Sequence, residues 1–356
     1  MPNNEKVLDD RAASMEIEDE GKVKTVVGPL LLEKFSDIAI ANRYIQTQGT
    51  SDLKELEIIE ALGKGGESIV FKAKLNKGNK YFAVKFVKKN CNKKVNANEF
   101  CIAKKLKDKN IAKILYYYAS PNQPLDFIVM ELGKTDLYQF CRKIIKRATL
   151  SETFLCYITH QVLRALLYLH KGKIAHLDIK PKNLIVTDFL DIKLIDFSVS
   201  LDYSNIKSKN IKLQYCGTSC MMAPEIIKTE TIKIKDLNKL DMFSLGTTLY
   251  YLAFGEYPYN IQNEDSDDVI YTKIKSDWKV TNVNNYFSNY FIDFLNGLLN
   301  NDINKRMNID EALNHYWIKG VETIYDEKEN ICNANIFLSY LITDHIRSFE
   351  EYIGKN

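Results

Sequence analysis

The sequence has no uninterrupted apolar run approaching the ~18 residues that a membrane-spanning helix needs, so no bilayer span is expected. An apolar signal-peptide core is also missing, because Met1-Pro2-Asn3-Asn4-Glu5-Lys6 leads directly into mixed charge. Paired cysteines are absent too. The seven present, Cys91, Cys101, Cys141, Cys156, Cys216, Cys220 and Cys332, are odd in number and scattered. Cys216 and Cys220 lie four apart, but no second pair or histidine cluster completes a zinc site, and reduced thiols are expected. Nor is there an excess of one charge: 49 Lys and Arg stand against 46 Asp and Glu, a balance of +3 that does not argue for nucleic acid or an acidic membrane. Internal repeats and low-complexity tracts do not occur. Together these absences leave an intracellular, cytoplasmic or nuclear chain with no nucleic-acid partner. Hydrophobic residues make up 46% and charged residues 27%, ordinary for a globular protein. At 356 residues the chain exceeds one typical domain, so one large domain or two lobes with tails are expected.

Residues 1–53 read as a partly ordered extension without a clear period, despite short apolar stretches such as Val26 to Leu32. From Glu55 the pattern turns to short strands. Leu56-Glu57-Ile58-Ile59 precedes a glycine cluster, Ser68 to Ala73 follows it, and Asn76-Lys77-Gly78-Asn79 makes a hairpin turn before a strand from Tyr81 to Val87. A helix is expected over 98–107, then strands near Ile114–Tyr118 and Phe127–Leu132. Residues 54–132 therefore form a small, antiparallel, strand-rich lobe carrying one main helix. From Ser151, a helix cap, the period becomes helical, with Leu155, Ile158, Val162, Leu166 and Leu169 on one face. Later helices centre on Asp241–Phe254, Tyr290–Leu299 and Ile309–His315, so residues 133–318 form a larger, mostly helical lobe. The fold class is α+β with two unequal lobes. In the tail, residues 319–356, the apolar positions from Ile336 to Ile353 read as an amphipathic helix, either docked on the larger lobe or binding a partner.

Gly63-Lys64-Gly65-Gly66-Glu67-Ser68 lies between two expected strands, with Val70 just beyond. Glycines let a backbone approach phosphates closely. The element that follows is a strand and not a helix, which argues against a dinucleotide fingerprint or a Walker loop. One hairpin later comes Phe82-Ala83-Val84-Lys85, a lysine inside an apolar strand. Then come His176-Leu177-Asp178-Ile179-Lys180-Pro181-Lys182-Asn183, Asp196-Phe197-Ser198, Cys216-Gly217-Thr218 and Ala223-Pro224-Glu225, in that order.

This series resembles the eukaryotic protein kinase family from about Glu55 to Ile318. The resemblance implies a two-lobed kinase-like fold that uses ATP and Mg2+ to phosphorylate protein substrates. By that resemblance Lys85 holds the α- and β-phosphates and Glu99 orients it. Asp178 takes the proton of the acceptor hydroxyl, Lys180 stabilises the γ-phosphate, and Asn183 and Asp196 hold magnesium. Gly63, Lys64, Gly65, Gly66, Val70, Ala83 and Ile185 contact the nucleotide, with Glu131 and Leu132 bonding the base through their backbone and Met130 guarding the pocket behind it. Asp241 to Gly246 resembles the helix that anchors the catalytic loop, and Arg306 the buried partner of Glu225. The Lys180-Pro181 pair and Thr218 favour serine/threonine transferases over tyrosine kinases.

Several positions depart from the family pattern. Ser68 stands at the third loop glycine and Ser198 at the glycine of the metal motif, where a Cβ resists positive φ. Leu177 replaces the arginine that pairs with a phosphorylated activation loop, and Gln214 stands where such loops place their threonine. Activity independent of activation-loop phosphorylation is expected, although Ser200, Ser204 and Ser208 remain candidate modification sites. Lys182 argues against a basic substrate motif, with Asp136 available to offset it. The alternatives are a pseudokinase scaffold, suggested by Ser198 and Leu177, and a small-molecule kinase, which the Ala223-Pro224-Glu225 segment argues against.

Overall fold

The structure is a computed structural model that describes residues 37–48, 53–64, 68–76, 79–88, 95–118, 125–145, 150–213, 217–228, 230–276, 279–281, 286–321, 324, 325 and 328. Gly65, Gly66, Gln214, Cys216 and the tail pattern from Ile336 to Ile353 lie outside the described residues. Two compact units result, one of residues up to Asn96 with Ile114–Leu132, the other of Ala97–Lys113 with Gly133 onward.

The first unit contains helix α1 (Ile38–Gln48) and strands β1 (Leu56–Lys64), β2 (Ser68–Leu75), β3 (Tyr81–Lys88), β4 (Ile114–Tyr118) and β5 (Leu125–Glu131). The strands form one antiparallel sheet in the order β1-β2-β3-β5-β4. Alternation along each strand sorts side chains to two faces. On one face Ile69, Phe71 and Ala73 of β2 meet Val84 and Phe86 of β3 and Leu125, Phe127 and Val129 of β5. The Phe86 ring lies 5.6 Å from Phe71, edge-on, and 5.7 Å from Phe127.

Helix α1 covers this face with Ala41, Tyr44 and Ile45, the i, i+3, i+4 set of one helical stripe. The Tyr44 hydroxyl donates to the Leu125 carbonyl at 2.8 Å. Asn42 brackets Ile58 at a β-bulge: the Ile58 amide donates to Asn42 Oδ1 at 2.7 Å, and Asn42 Nδ2 donates to the Ile58 carbonyl at 3.1 Å. A residue at a bulge loses ladder partners, and this side chain replaces them. Part of the stretch read as an extension without a period is therefore a core element. Its stripe spans three residues in an 11-residue helix otherwise rich in Asn, Arg, Gln and Thr, too brief to stand out as a period.

The second unit begins within α2 (Val95–Ala103), at Ala97; this helix starts and ends earlier than the stretch 98–107 expected from sequence. It continues through β6 (Thr135–Asp136), α3 (Leu137–Ile145), α4 (Glu152–Lys171), β7 (Ile174–Ala175), β8 (Leu184–Val186), β9 (Ile192–Leu194), β10 (Leu201–Asp202) and β11 (Asn210–Lys212). Then come α5 (Pro224–Ile227), β12 (Thr231–Lys233), α6 (Asn238–Phe254), α7 (Asp267–Ile274), α8 (Asn289–Leu298), α9 (Ile309–Leu313) and α10 (Tyr316–Lys319). The strands pair as β6-β8-β9, β10-β7 and β11-β12, pieces of two or three residues that carry no readable alternation.

Ser151 caps α4, its Oγ accepting from the Phe154 amide at 3.1 Å, and Leu155, Ile158, Val162, Leu166 and Leu169 are all buried. Glu152, also buried, accepts from the Ser288 amide at 2.7 Å, from the Ser288 hydroxyl and from Trp317 Nε1 at 2.8 Å, tying α4 to the start of α8 and to α10. Beyond Ile318 the described residues stay on this unit. The Tyr325 ring lies 5.5 Å from Tyr157, and Lys328 Nζ donates to Tyr157 Oη at 2.7 Å and Asp191 Oδ1 at 2.6 Å. Among the described residues no helix is long and apolar enough to cross a membrane.

Candidate active site

In the first unit, strand parity separates the expected nucleotide-binding residues from the α1-covered core. Val70 pairs with Lys85, and Ala83 pairs with Met130, on the face opposite Phe71 and Phe86. Ala83, Ile128 and Met130 cluster there, with Val70 and Leu132 packed against them. Gly63 pairs with Val70, so the end of β1 reaches the same place. Lys85 is only 6% exposed, although a lysine is costly to bury without a partner. In the second unit Glu99 on α2 is likewise buried, at 2% exposed, with Ile102 behind it.

The catalytic loop follows β7, and α6 holds it. Asp241 is fully buried and accepts three hydrogen bonds: from His170 Nε2 at 2.8 Å, the His176 amide at 2.9 Å and the Leu177 amide at 2.7 Å. Burial alone would raise this carboxyl. The hydrogen bond and charge of His170, with His176 beside it, outweigh burial and hold Asp241 below the usual carboxylate range. Leu177 sits in the left-handed region at φ 66°, a conformation disfavoured for a side chain with a Cβ. The Asp241 bond to its amide is what pins it there. Thr248 on α6 adds a bond from its hydroxyl to the Ile179 carbonyl at 3.1 Å. The sequence reading assigned Asp241 an anchoring role but missed its second histidine, His170, which lies at the end of α4 outside every motif.

Around Asp178 the polar groups form one network. Thr218 Oγ1 donates to Asp178 Oδ1 at 3.1 Å. Lys180 Nζ donates to Thr218 Oγ1 at 2.9 Å and lies 2.6 Å from Asp178 Oδ2. Asn183 Nδ2 donates to the Asp178 carbonyl and to Oδ2, both at 2.9 Å. Gly217 makes this approach possible: its φ is +99°, and a Cβ there would meet the Leu177 carbonyl at 2.9 Å. The structure thus brings Asp178, Lys180, Asn183 and Thr218 together, while Cys216 and Gln214 are outside the described residues.

The β8–β9 hairpin carries the metal motif. The Ile195 amide donates to the Asn183 carbonyl at 2.9 Å, and His176 Nε2 meets the Ile195 carbonyl at 3.0 Å. Phe197 is buried, its ring 5.1 Å from His176 and nearly edge-on. The positive φ of this motif falls on Asp196, at 67°, and not on Ser198. A serine is therefore compatible with this conformation.

Fit to a magnesium ion can be judged from the donors present. Because Asn183 Nδ2 is committed to Asp178, its amide oxygen remains as an acceptor, and Asp196 supplies a carboxylate. One carboxylate and one amide oxygen, both hard donors, suit an ion that keeps several waters and takes substrate phosphate oxygens. The residues fit.

Ile185 on β8 lies against Gly133, where a Cβ would approach Ile185 Cβ to 2.8 Å. Asp136 accepts from the Gln139 amide at 2.8 Å, which occupies it in capping α3. The Lys182 ammonium lies over the Tyr138 ring, 5.3 Å from its centroid. Arg306 bonds Glu225 twice, at 2.8 and 3.2 Å, and donates to the carbonyls of Asn300 and Lys239, so four of its five N–H donors are used in this buried pair.

A family model described as the protein kinase domain matches residues 56–318, nearly three quarters of the chain, and the chain belongs to the protein kinase family. A probable myosin light chain kinase of Dictyostelium discoideum is 28% identical over 226 residues, covering 63% of this chain and 44% of that protein. A MAP kinase kinase of Saccharomyces cerevisiae is 28% identical over 286 residues, covering 76% of this chain and 54% of that protein. The chain thus spans about half the length of these curated relatives.

Proposed function

We propose that this chain is a serine/threonine protein kinase that moves the γ-phosphate of Mg-ATP to protein hydroxyls. The observation that carries the reading is the network in which Thr218, Lys180 and Asn183 all converge on the Asp178 carboxylate. Phosphoryl transfer asks for positioning and charge neutralisation more than for covalent catalysis. Asp178 orients the acceptor hydroxyl and takes its proton as the new O–P bond forms and the bond from the γ-phosphorus to the bridging oxygen breaks, leaving ADP. Lys180, held beside Asp178, offsets negative charge on the transferred group. Lys85, Val70, Ala83, Gly63, Lys64, Gly65, Gly66 and Ile185, with the backbone of Glu131 and Leu132, bind the nucleotide, and Glu99 orients Lys85. Magnesium, held by Asn183 and Asp196, would neutralise phosphate charge. Serine/threonine preference is supported by Thr218 bonding Asp178 and by the Lys180-Pro181 pair.

Transfer is independent of phosphorylation on the activation segment, since Leu177 is buried and apolar where a phosphate-pairing arginine would stand. Radiolabelled Mg-ATP with a generic protein substrate tests both statements. Wild type labels serine or threonine before and after phosphatase treatment, and Asp178→Asn loses transfer by about a thousandfold or more. Loss of activity after phosphatase treatment removes the independence. Nucleotide binding without transfer by wild type moves the chain to a scaffold role, the reading suggested by Leu177 and Ser198.

A further inference from the structure

A cavity of about 750 Å³ lies wholly within the second unit, built by three separate segments that do not include Asp178. It is lined by the end of α4 and the turn after it, by the stretch from Tyr203 to Asn210, and by the stretch from Lys233 to Asn238. Its size falls in the ~300–1,000 Å³ range of ligand sites. Four lysines line it, Lys173, Lys209, Lys233 and Lys235, and no aspartate or glutamate does. Among the described residues none of these four ammonium groups takes part in an ion pair.

Asp236, in the same stretch as Lys233 and Lys235, is buried and does not line the cavity, and two further carboxylates nearby are engaged elsewhere. Asp202 is held by Lys105 and Ser204, and Asp241 by His170 and two backbone amides. Two lining residues also carry buried polar atoms without a hydrogen-bond partner, His170 Nδ1 and Asn238 Oδ1. Such orphans are uncommon, and the oxygen and nitrogen of an asparagine amide exchange places by a flip.

The walls are fixed by backbone bonds. The Tyr203 amide donates to the Lys173 carbonyl at 2.9 Å, the Ile234 amide to the Lys209 carbonyl at 3.0 Å, and β11 pairs with β12. Four like charges gathered on a rigid frame repel one another unless an anion joins them.

We propose that this cavity binds a phosphorylated serine or threonine side chain of the protein substrate, so that the enzyme prefers substrates already phosphorylated near the acceptor. The inference rests on the kinase reading above. A phosphomonoester dianion offers the lining lysines three acceptor oxygens and up to two charges, where a carboxylate brings one charge. The chain's own Ser204 and Ser208 line the same cavity, where Ser204 donates to Asp202 and Ser208 to the Asn210 carbonyl.

The test uses the full chain and a fluorescent peptide pool with one fixed phosphoserine and random flanks. Wild type binds it about tenfold or more tightly than the serine pool and the glutamate pool, and Lys209→Glu with Lys233→Glu abolishes the difference. Both lysines are exposed, so the variant keeps its fold, which an unchanged melting temperature checks. Phosphorylated casein is then transferred to with a KM about tenfold below that of dephosphorylated casein, and the lysine variant equalises the two while keeping transfer to the dephosphorylated form. Equal binding of the three pools, or a preference that survives in the lysine variant, overturns the proposal. Selective binding that Ser204→Ala with Ser208→Ala removes also overturns it, since the chain's own serine is then the source. Absence of transfer to either casein with selective binding intact defeats the kinase reading alone.

Discussion

The sheet core of the first unit and the catalytic loop of the second are held in opposite ways. Under α1, cohesion comes from apolar and aromatic side chains, Phe71, Phe86, Phe127 and Tyr44 among them, each making many small contacts. Around Asp241, cohesion comes from one buried carboxylate and its three donors. Dispersed contacts fail gradually, because neighbours relax into a cavity. A single polar hub fails at once, because every donor it held is left buried and unsatisfied. The catalytic loop needs the second kind of support. Leu177 is held at positive φ, and the role proposed for Asp178 asks for a fixed direction, which directional bonds impose.

Asp241→Ala is the largest expected break, because it strikes stability and transfer together. It strands the His170 ring and the amides of His176 and Leu177, and the protein should lose about 3–5 kcal/mol of stability, by analogy with breaking a buried ion pair. Phosphoryl transfer per folded molecule should fall as well, since Leu177 loses the bond that holds its strained backbone. Denaturant unfolding together with single-turnover transfer checks both. A variant that is stable and fully active would show that the loop is held by packing after all.

The sheet core gives the graded counterpart. Tyr44→Phe removes only the hydroxyl bond to the Leu125 carbonyl and should cost about 0.5–1.5 kcal/mol. Tyr44→Ala removes the ring as well and should cost about 3–5 kcal/mol. Both should leave the KM for ATP nearly unchanged, because Tyr44 lies on the sheet face opposite Val70, Ala83 and Lys85. Equal losses in the two variants would place the whole effect in the hydrogen bond and remove the contrast with Asp241.

Legibility in the sequence follows the same division. The strands and main helices could be read because burial imposes a period: β2 alternates, and α4 shows its stripe and its Ser151 cap. That Asp178, Lys180 and Asn183 lie together could be read because they occur in one short run, and their mutual bonds follow from that closeness in the chain. What sequence did not reveal depends on partners far away in the chain. His170 reaches Asp241 across 71 positions, and Asn42 completes the bulge at Ile58 across 16. The lysine-lined cavity collects residues from three segments that share no motif. Nor does the sequence say which residue of the Asp196-Phe197-Ser198 motif takes the positive φ; it is Asp196.

The most gradual effect concerns proton uptake, and it sharpens the contrast by probing a polar group held mainly by burial. His160 on α4 is partly buried, its Nδ1 3.0 Å from the Tyr325 hydroxyl and its ring 5.4 Å from that ring. Burial, and then the nearby charges of Arg164 and Lys109, lower its pKa from 6.5 to about 4. Above pH 6.5 the ring is neutral in both the folded and the unfolded chain, so it contributes no pH dependence. Between pH 6.5 and about 4 the unfolded chain takes up a proton that the fold refuses, and stability falls as the pH falls. Below that window both states are protonated and the loss stops growing. The full loss is about 1–3 kcal/mol, reduced from the ideal value because solvent reaches part of the ring. His160→Gln should therefore melt with a shallower dependence on pH than wild type between pH 6.5 and 4.5, the two curves converging as the pH is lowered. Parallel curves would mean that His160 takes up its proton equally in both states, and that a ring packed against Tyr325 exerts none of the directional control that Asp241 exerts on the catalytic loop.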